Sequence, residues 1–119
     1  MAVIRTVTLA PGESTGWHYH PAMVRAVLLS GVLTRVFEDG TVKTTQPGQL
    51  LTELPDQRHI GHNVGRETVV ILANYQQRAG CPLVVPAAPT EQGAAAELAV
   101  VAQTLPDQRT TSASGDRAG

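Results

Sequence analysis

The chain has 119 residues, with nine Lys+Arg against ten Asp+Glu, a formal charge of -1 and one Cys. That length bounds a single small domain, and a sequence with no basic surplus and no Lys/Arg patch argues against a nucleic-acid partner. Trp17, Tyr19, Phe37 and Tyr75 are the whole aromatic complement, too few for base-stacking platforms, so the core has to be built from Val, Leu, Ile and Ala.

From the first residues, Arg5, Thr6 and Thr8 break the apolar block that an export signal needs. Short β-branched runs then follow one another: Val3–Leu9, Gly16–His20, Met23–Leu29, Val32–Glu38, Val42–Thr45, Gln49–Leu54, Arg58–Val64 and Thr68–Tyr75. Pro11-Gly12, Ser30-Gly31, Asp39-Gly40, Pro47-Gly48, Pro55-Asp56 and Gly65-Arg66 punctuate them, which is an all-β pattern. Asp39-Gly40 predicts a hairpin closed by a tight primed turn, because both residues tolerate positive φ. Eight short strands cannot hide their edges in one flat sheet, so a sandwich or small barrel is expected. Both faces of Met23–Phe37 look apolar apart from Arg25, Thr34 and Arg35. One face should line the interior and the other be covered by a second subunit or by the C-terminal segment.

Composition shifts at Gly80 to an Ala-, Pro-, Thr- and Gln-rich remainder. Residues 1–86 therefore read as the β domain and 87–119 as a C-terminal segment. Leu83–Val85 can add a strand, Glu91–Thr104 predicts a modest helix with Thr90 as N-cap, and Thr110–Gly119 reads as disordered. Leu-Pro-Asp-Gln-Arg occurs at Leu54–Arg58 and again at Leu105–Arg109, in contexts too different for a structural repeat. Arg25, Ser30, Gly31, Thr34 and Arg35 interrupt the longest apolar run, well short of the roughly 20 residues of a membrane span. Cys81 alone cannot close an intramolecular disulfide. These features predict a soluble, cytoplasmic protein without membrane or nucleic-acid partners.

Three histidines have a spacing with geometric meaning. His18 and His20, two apart in a strand, project from one face as a chelating pair, while Trp17 and Tyr19 point the other way. His59, Gly61 and Asn63 share one face of a later strand, and Ile60 and His62 the opposite one. His59 and His62 cannot both look inward if that strand is regular, and His62 becomes the alternative ligand if a bulge shifts its parity.

Gly12 to His18-Tyr-His20, running on to Gly31, resembles the first cupin motif: a Gly, five residues, His-x-His and a later Gly. Gly48, Pro55, His59 and Asn63 resemble the second. The resemblance implies a jelly-roll β-barrel of antiparallel strands that holds one divalent metal and commonly forms a homodimer. Its ligands would be His18, His20 and His59. Cupins usually carry a Glu four or five residues after the second His of the first motif, but Val24 and Arg25 stand there, so a three-His site is expected. Such a site keeps the ion's full charge and should favour a small anionic chelating substrate.

The missing Glu favours iron(II) and a three-His oxygenase-type reaction, as in the cupin oxygenases of thiols and diketones that the site resembles, whereas zinc, manganese or nickel would serve Lewis-acid isomerase or lyase chemistry. The competing reading is a noncatalytic metal- or small-molecule-binding module, a sensor or carrier, since fold does not fix function. A metal-free scaffold is a third. Glu53 is the candidate catalytic acid or base. Arg25 and Arg35 are candidate carboxylate binders, Tyr19 and Phe37 candidate pocket walls, and Asn63 is expected to bond backbone near the site.

Overall fold

A computed structural model describes residues 2–112. Nine strands and one helix follow in order: β1 Ala2–Leu9, β2 His18–Tyr19, β3 Val24–Ser30, β4 Leu33–Phe37, β5 Val42–Thr45, β6 Leu50–Glu53, β7 His59–His62, β8 Val69–Gln76, β9 Val85–Pro86 and α1 Glu91–Ser112. They form two antiparallel sheets, β1-β8-β3-β6 and β5-β4-β7-β2-β9. This is a jelly roll in which the sheets face each other without closing into a continuous hydrogen-bonded barrel.

The inward positions of β3 and β8 build the core. Strand parity puts Val24, Ala26 and Leu28 with Val69, Ile71, Ala73 and Tyr75 on one face, packed against Leu9, Leu33 and Leu51. Ala26 and Ala73 are register partners. Two methyl-sized side chains facing each other leave space that branched residues would fill, and the functional cavity lies over them.

The β4–β5 hairpin sits where Asp39-Gly40 places it, but the turn is not a two-residue primed one. Gly40 N donates to Phe37 O and Phe37 N to Thr41 O, both at 2.9 Å. Gly40 alone has positive φ (86°), so a three-residue loop closes the strands, with Asp39 Oδ1 accepting from Thr41 N at 2.9 Å. Gly31 (φ 73°) is equally constrained, because a Cβ there would lie 2.7 Å from Thr68 O.

The apolar outer face of β4 and β7 is covered by α1. Val100 packs with Val36 and Ile60, flanked by Trp17 and Ala96. Thr90 caps the helix by accepting from Gly93 N at 3.0 Å. Glu97 pins it from above, taking the Trp17 indole N–H at 2.8 Å and lying 2.8 Å from His62 Nε2. The helix continues past Thr104 to Ser112, so Thr110–Ser112 is helical rather than disordered, and residues 113–119 lie outside the described part. Among the described residues no helix is long and apolar enough to cross a membrane.

Candidate metal centre

Register brings the site together. His18 of β2 pairs directly with His59 of β7, His20 follows two residues after His18 on the same face, and Glu53 ends β6 in the opposite sheet. One donor atom from each of His18, His20, Glu53 and His59 lies within 4.8 Å of all the others. Metal–donor bonds of about 2.0–2.2 Å allow donors to be up to about 4.4 Å apart, so a small contraction would close the four on one ion.

The backbone sets the histidine tautomers. Nδ1 of His18 lies 2.8 Å from Gly16 O, that of His20 3.0 Å from Leu83 O and that of His59 2.9 Å from Gln57 O. A carbonyl only accepts, so each Nδ1 carries the proton and each Nε2 is left as a lone-pair donor for the interior. His20 Nε2 lies 3.0 Å from Glu53 Oε1, and His59 Nε2 lies 3.1 Å from Glu53 Oε2. His59 Nε2 is nevertheless buried without a hydrogen bond of acceptable geometry. Three imidazole lone pairs and a carboxylate converging in a buried space need a cation or protons between them, so these residues fit a divalent metal.

The same crowding shifts the titrations. Burial, opposed by the Gly16 carbonyl, lowers His18 to about 4, leaving it neutral at physiological pH. Burial works to raise Glu53, but the neighbouring His20 and His59 imidazoles outweigh it and hold the carboxyl well below the usual range. Burial also works against protonation of His59, yet Glu53 prevails and its pKa is raised. Tyr75 is raised by burial and then by the Glu53 charge, so its phenol stays protonated at neutral pH.

A cavity of about 60 Å³ adjoins the cluster, walled by Val7, Leu33, Leu51, Ile71, Tyr75 and Arg35 among others. Arg35 is 5% exposed, donates from Nη1 to Glu53 Oε2 at 3.3 Å and lies over the Phe37 ring, 5.1 Å from its centroid. Phe37 does not line the cavity as expected; it lies beneath Arg35, with its ring 5.9 Å from that of His59.

Other expected site residues lie elsewhere. Arg25 is exposed on the outer face of β3, between Asn74 and Thr52 in register, because parity with inward Val24 and Ala26 turns it out. Tyr19 is half-buried and does not line the cavity. His62 faces α1 and is held by Glu97. Asn63 bonds backbone at Leu9 and Glu67. The three-His expectation is corrected by Glu53: β3–β6 register pairs it with Val24, so the carboxylate comes from the strand beside the one carrying the usual Glu. Tyr75 was the residue missed, although its parity with Val69, Ile71 and Ala73 was readable.

The family model described as "Cupin domain" matches residues 5–75. No curated protein matches the chain. Among solved structures, an uncharacterized conserved protein with a double-stranded beta-helix domain from Klebsiella pneumoniae aligns at TM-score 0.57 and 22% identity, over 71% of this chain and 67% of that one. A DMSP lyase from Ruegeria pomeroyi aligns at TM-score 0.65 and 17% identity, over 74% and 44%. Bacillus subtilis oxalate decarboxylase, described with Mn(II) centers, aligns at TM-score 0.61 and 23% identity, over 71% and 23%. The chain thus spans less than half of the lyase and about a quarter of the decarboxylase, and at these identities the likeness establishes the fold alone.

Proposed function

This chain belongs to the cupin domain family, and we propose that His18, His20, Glu53 and His59 hold one divalent metal ion at which a small anionic chelating substrate is bound and transformed. The observation that carries this reading is the buried clustering of one donor atom each from His18, His20, His59 and Glu53 within 4.8 Å of one another, with each imidazole held by a backbone carbonyl at its Nδ1. Bound there, a divalent ion would supply Lewis-acid polarisation of a chelated oxygen or, if redox-active, oxidation by dioxygen. Iron(II) or manganese(II) suits a mixed imidazole and carboxylate set, with zinc and nickel as alternatives. The preference for iron that followed from a three-His site loses its motive once Glu53 joins.

Charge favours an anion. Three neutral imidazoles, the Glu53 carboxylate and the Arg35 guanidinium sum to zero, so a dication leaves the buried site positive until an anion enters. Arg35 is the residue proposed to take a substrate carboxylate, and Tyr75 the protonated group available as a proton donor. A noncatalytic sensor or carrier is the second reading, favoured by the small cavity and by Glu53 being engaged with the cluster.

Elemental analysis of protein purified without oxygen should find near one iron or manganese per chain, lost in both His18→Ala and His59→Ala. Oxygen uptake with candidate carboxylates, diketones or thiols then separates oxygenase from Lewis-acid chemistry, and turnover of none favours the sensor. Folded protein that takes up no metal overturns the metal-centred reading.

The lone thiol Cys81 suits a reducing compartment, and we place the protein in the cytoplasm. We also propose a homodimer through the outer face of β1-β8-β3-β6. Leu72, Val27 and Leu50 lie side by side in register there, and Leu50 is 81% and Ile4 59% exposed. Sedimentation should give a dimer at micromolar concentration that Leu72→Asp dissociates; a wild-type monomer contradicts it.

A further inference from the structure

At Gln46–Gln49 the chain leaves one sheet and enters the other, so β5 and β6 are consecutive strands that do not pair. Gly48 (φ 87°) makes the turn, its N–H donating to Leu28 O at 2.7 Å. The strands splay from that corner and leave an open groove of about 770 Å³, lined by Lys43, Thr44 and Thr45 on one side, Gln49, Leu50, Leu51 and Thr52 on the other, and Arg35. Arg35 also lines the inner cavity. It therefore stands between solvent in the groove and the histidine cluster.

Two cations face the groove. Lys43 is the register partner of Arg35, so both side chains leave the sheet on the same face. Lys43 Nζ lies 5.4 Å from the centroid of Phe37, the ring that Arg35 also covers. Both cations lie within reach of one aromatic ring, and among the described residues Lys43 forms no ion pair. Of the nearby carboxylates, Glu53 faces His20, His59 and Arg35, while Asp39 accepts from the Thr41 backbone at the hairpin tip and its charge also acts on Lys43.

Arg35 supplies the second, independent observation. Glu53 occupies Nη1, while Nε is buried without a hydrogen-bond partner. An orphaned donor on a buried guanidinium is unfavourable unless a ligand accepts from it. Nε and Nη2 form the edge that grips a carboxylate with two parallel hydrogen bonds.

We propose that the β5–β6 groove is an anion-binding portal, in which Lys43 attracts and Arg35 receives a small mono- or dicarboxylate on its way to the cluster. It rests on the metal reading only for what lies at the inner end; the portal is a property of Lys43 and Arg35. The test titrates malonate into metal-free and zinc-loaded protein, following the Arg35 Nε–Hε and Thr44 amide resonances. A saturable shift is expected in the metal-free protein, weakened about three- to tenfold by Lys43→Gln, as for loss of one exposed charge near an anion. Neutral malonamide should give none. With Arg35→Lys the Thr44 shift should require at least tenfold more malonate. No saturable shift in the metal-free protein overturns the portal, as does an unchanged titration in Lys43→Gln or an equal response to malonamide. Zinc uptake by the same samples reports separately on the metal reading.

Discussion

Glu53→Gln should lower divalent-metal affinity about 100-fold or more while leaving a folded protein, since loss of a ligating carboxylate should exceed the 10- to 100-fold effect of removing an outer hydrogen-bond partner. The carboxamide keeps the shape of Glu53 but removes the charge that balances Arg35 and raises the pKa of His59. Proton linkage gives a second signature. His59 is raised by Glu53, so below its pKa a metal must displace a proton, and affinity falls by up to about tenfold per pH unit as the solution is acidified. His18, lowered to about 4, is already deprotonated through that range and adds no slope until far more acidic solution. Without the Glu53 charge the His59 titration drops, and the pH at which binding weakens moves down with it. Zinc or cobalt titrations between pH 5 and 8 on wild type and Glu53→Gln check both points. Equal affinity in the two proteins would remove Glu53 from the ligand set; equal pH slopes would remove it as the cause of the His59 shift.

The histidine cluster was legible because strand parity is a two-residue rule. His-x-His can only put both rings on one face, and His59 with Gly61 likewise. The carboxylate was harder to see, since its place depends on β3–β6 register, which pairs Glu53 with Val24; register is a property of two strands, and no single-strand pattern contains it. Arg25 failed for the opposite reason: parity with the buried Val24 and Ala26 already turned it outward. The hairpin at Asp39-Gly40 was legible, but its loop length was set by where Val36 and Val42 pair, again a two-strand property. Cover for the outer face of β4 came from α1, and the signal was the small Gly93, where a Cβ would meet the Trp17 ring at 2.5 Å. Leu-Pro-Asp-Gln-Arg makes the limit of local reading plain: at Leu54–Arg58 it spans a turn with Asp56 at φ 63°, while Leu105–Arg109 lies in α1.

Asn63→Ala should destabilise the domain by about 3 kcal/mol, and Asn63→Asp by more at neutral pH. The amide is 1% exposed. Its Nδ2 donates to Leu9 O at 3.0 Å and to Glu67 O at 2.8 Å, while its Oδ1 accepts from Gly65 N at 3.0 Å. Its backbone adds Gly12 N to Asn63 O at 2.8 Å and Asn63 N to Glu13 O at 3.0 Å. One residue thus ties the end of β1, the turn that leads towards His18 and the loop between β7 and β8. Alanine leaves two carbonyls and one N–H without their partner, at about 1 kcal/mol or more each. Aspartate separates hydrogen bonding from shape, because an ionised carboxylate still accepts from Gly65 but turns a second oxygen against two carbonyl oxygens. The introduced carboxyl is then favoured neutral in the folded state, with a pKa above its unfolded value of about 3.9. The unfolded state loses that proton first as pH rises, so the stability of the variant should fall from pH 5 to 7.5 relative to wild type. Urea unfolding at both pH values tests this. If Asn63→Asp lies within about 1 kcal/mol of wild type at pH 7.5, or shows the same pH response, the donor role of Nδ2 is refuted and the three loops are held by their backbone bonds alone.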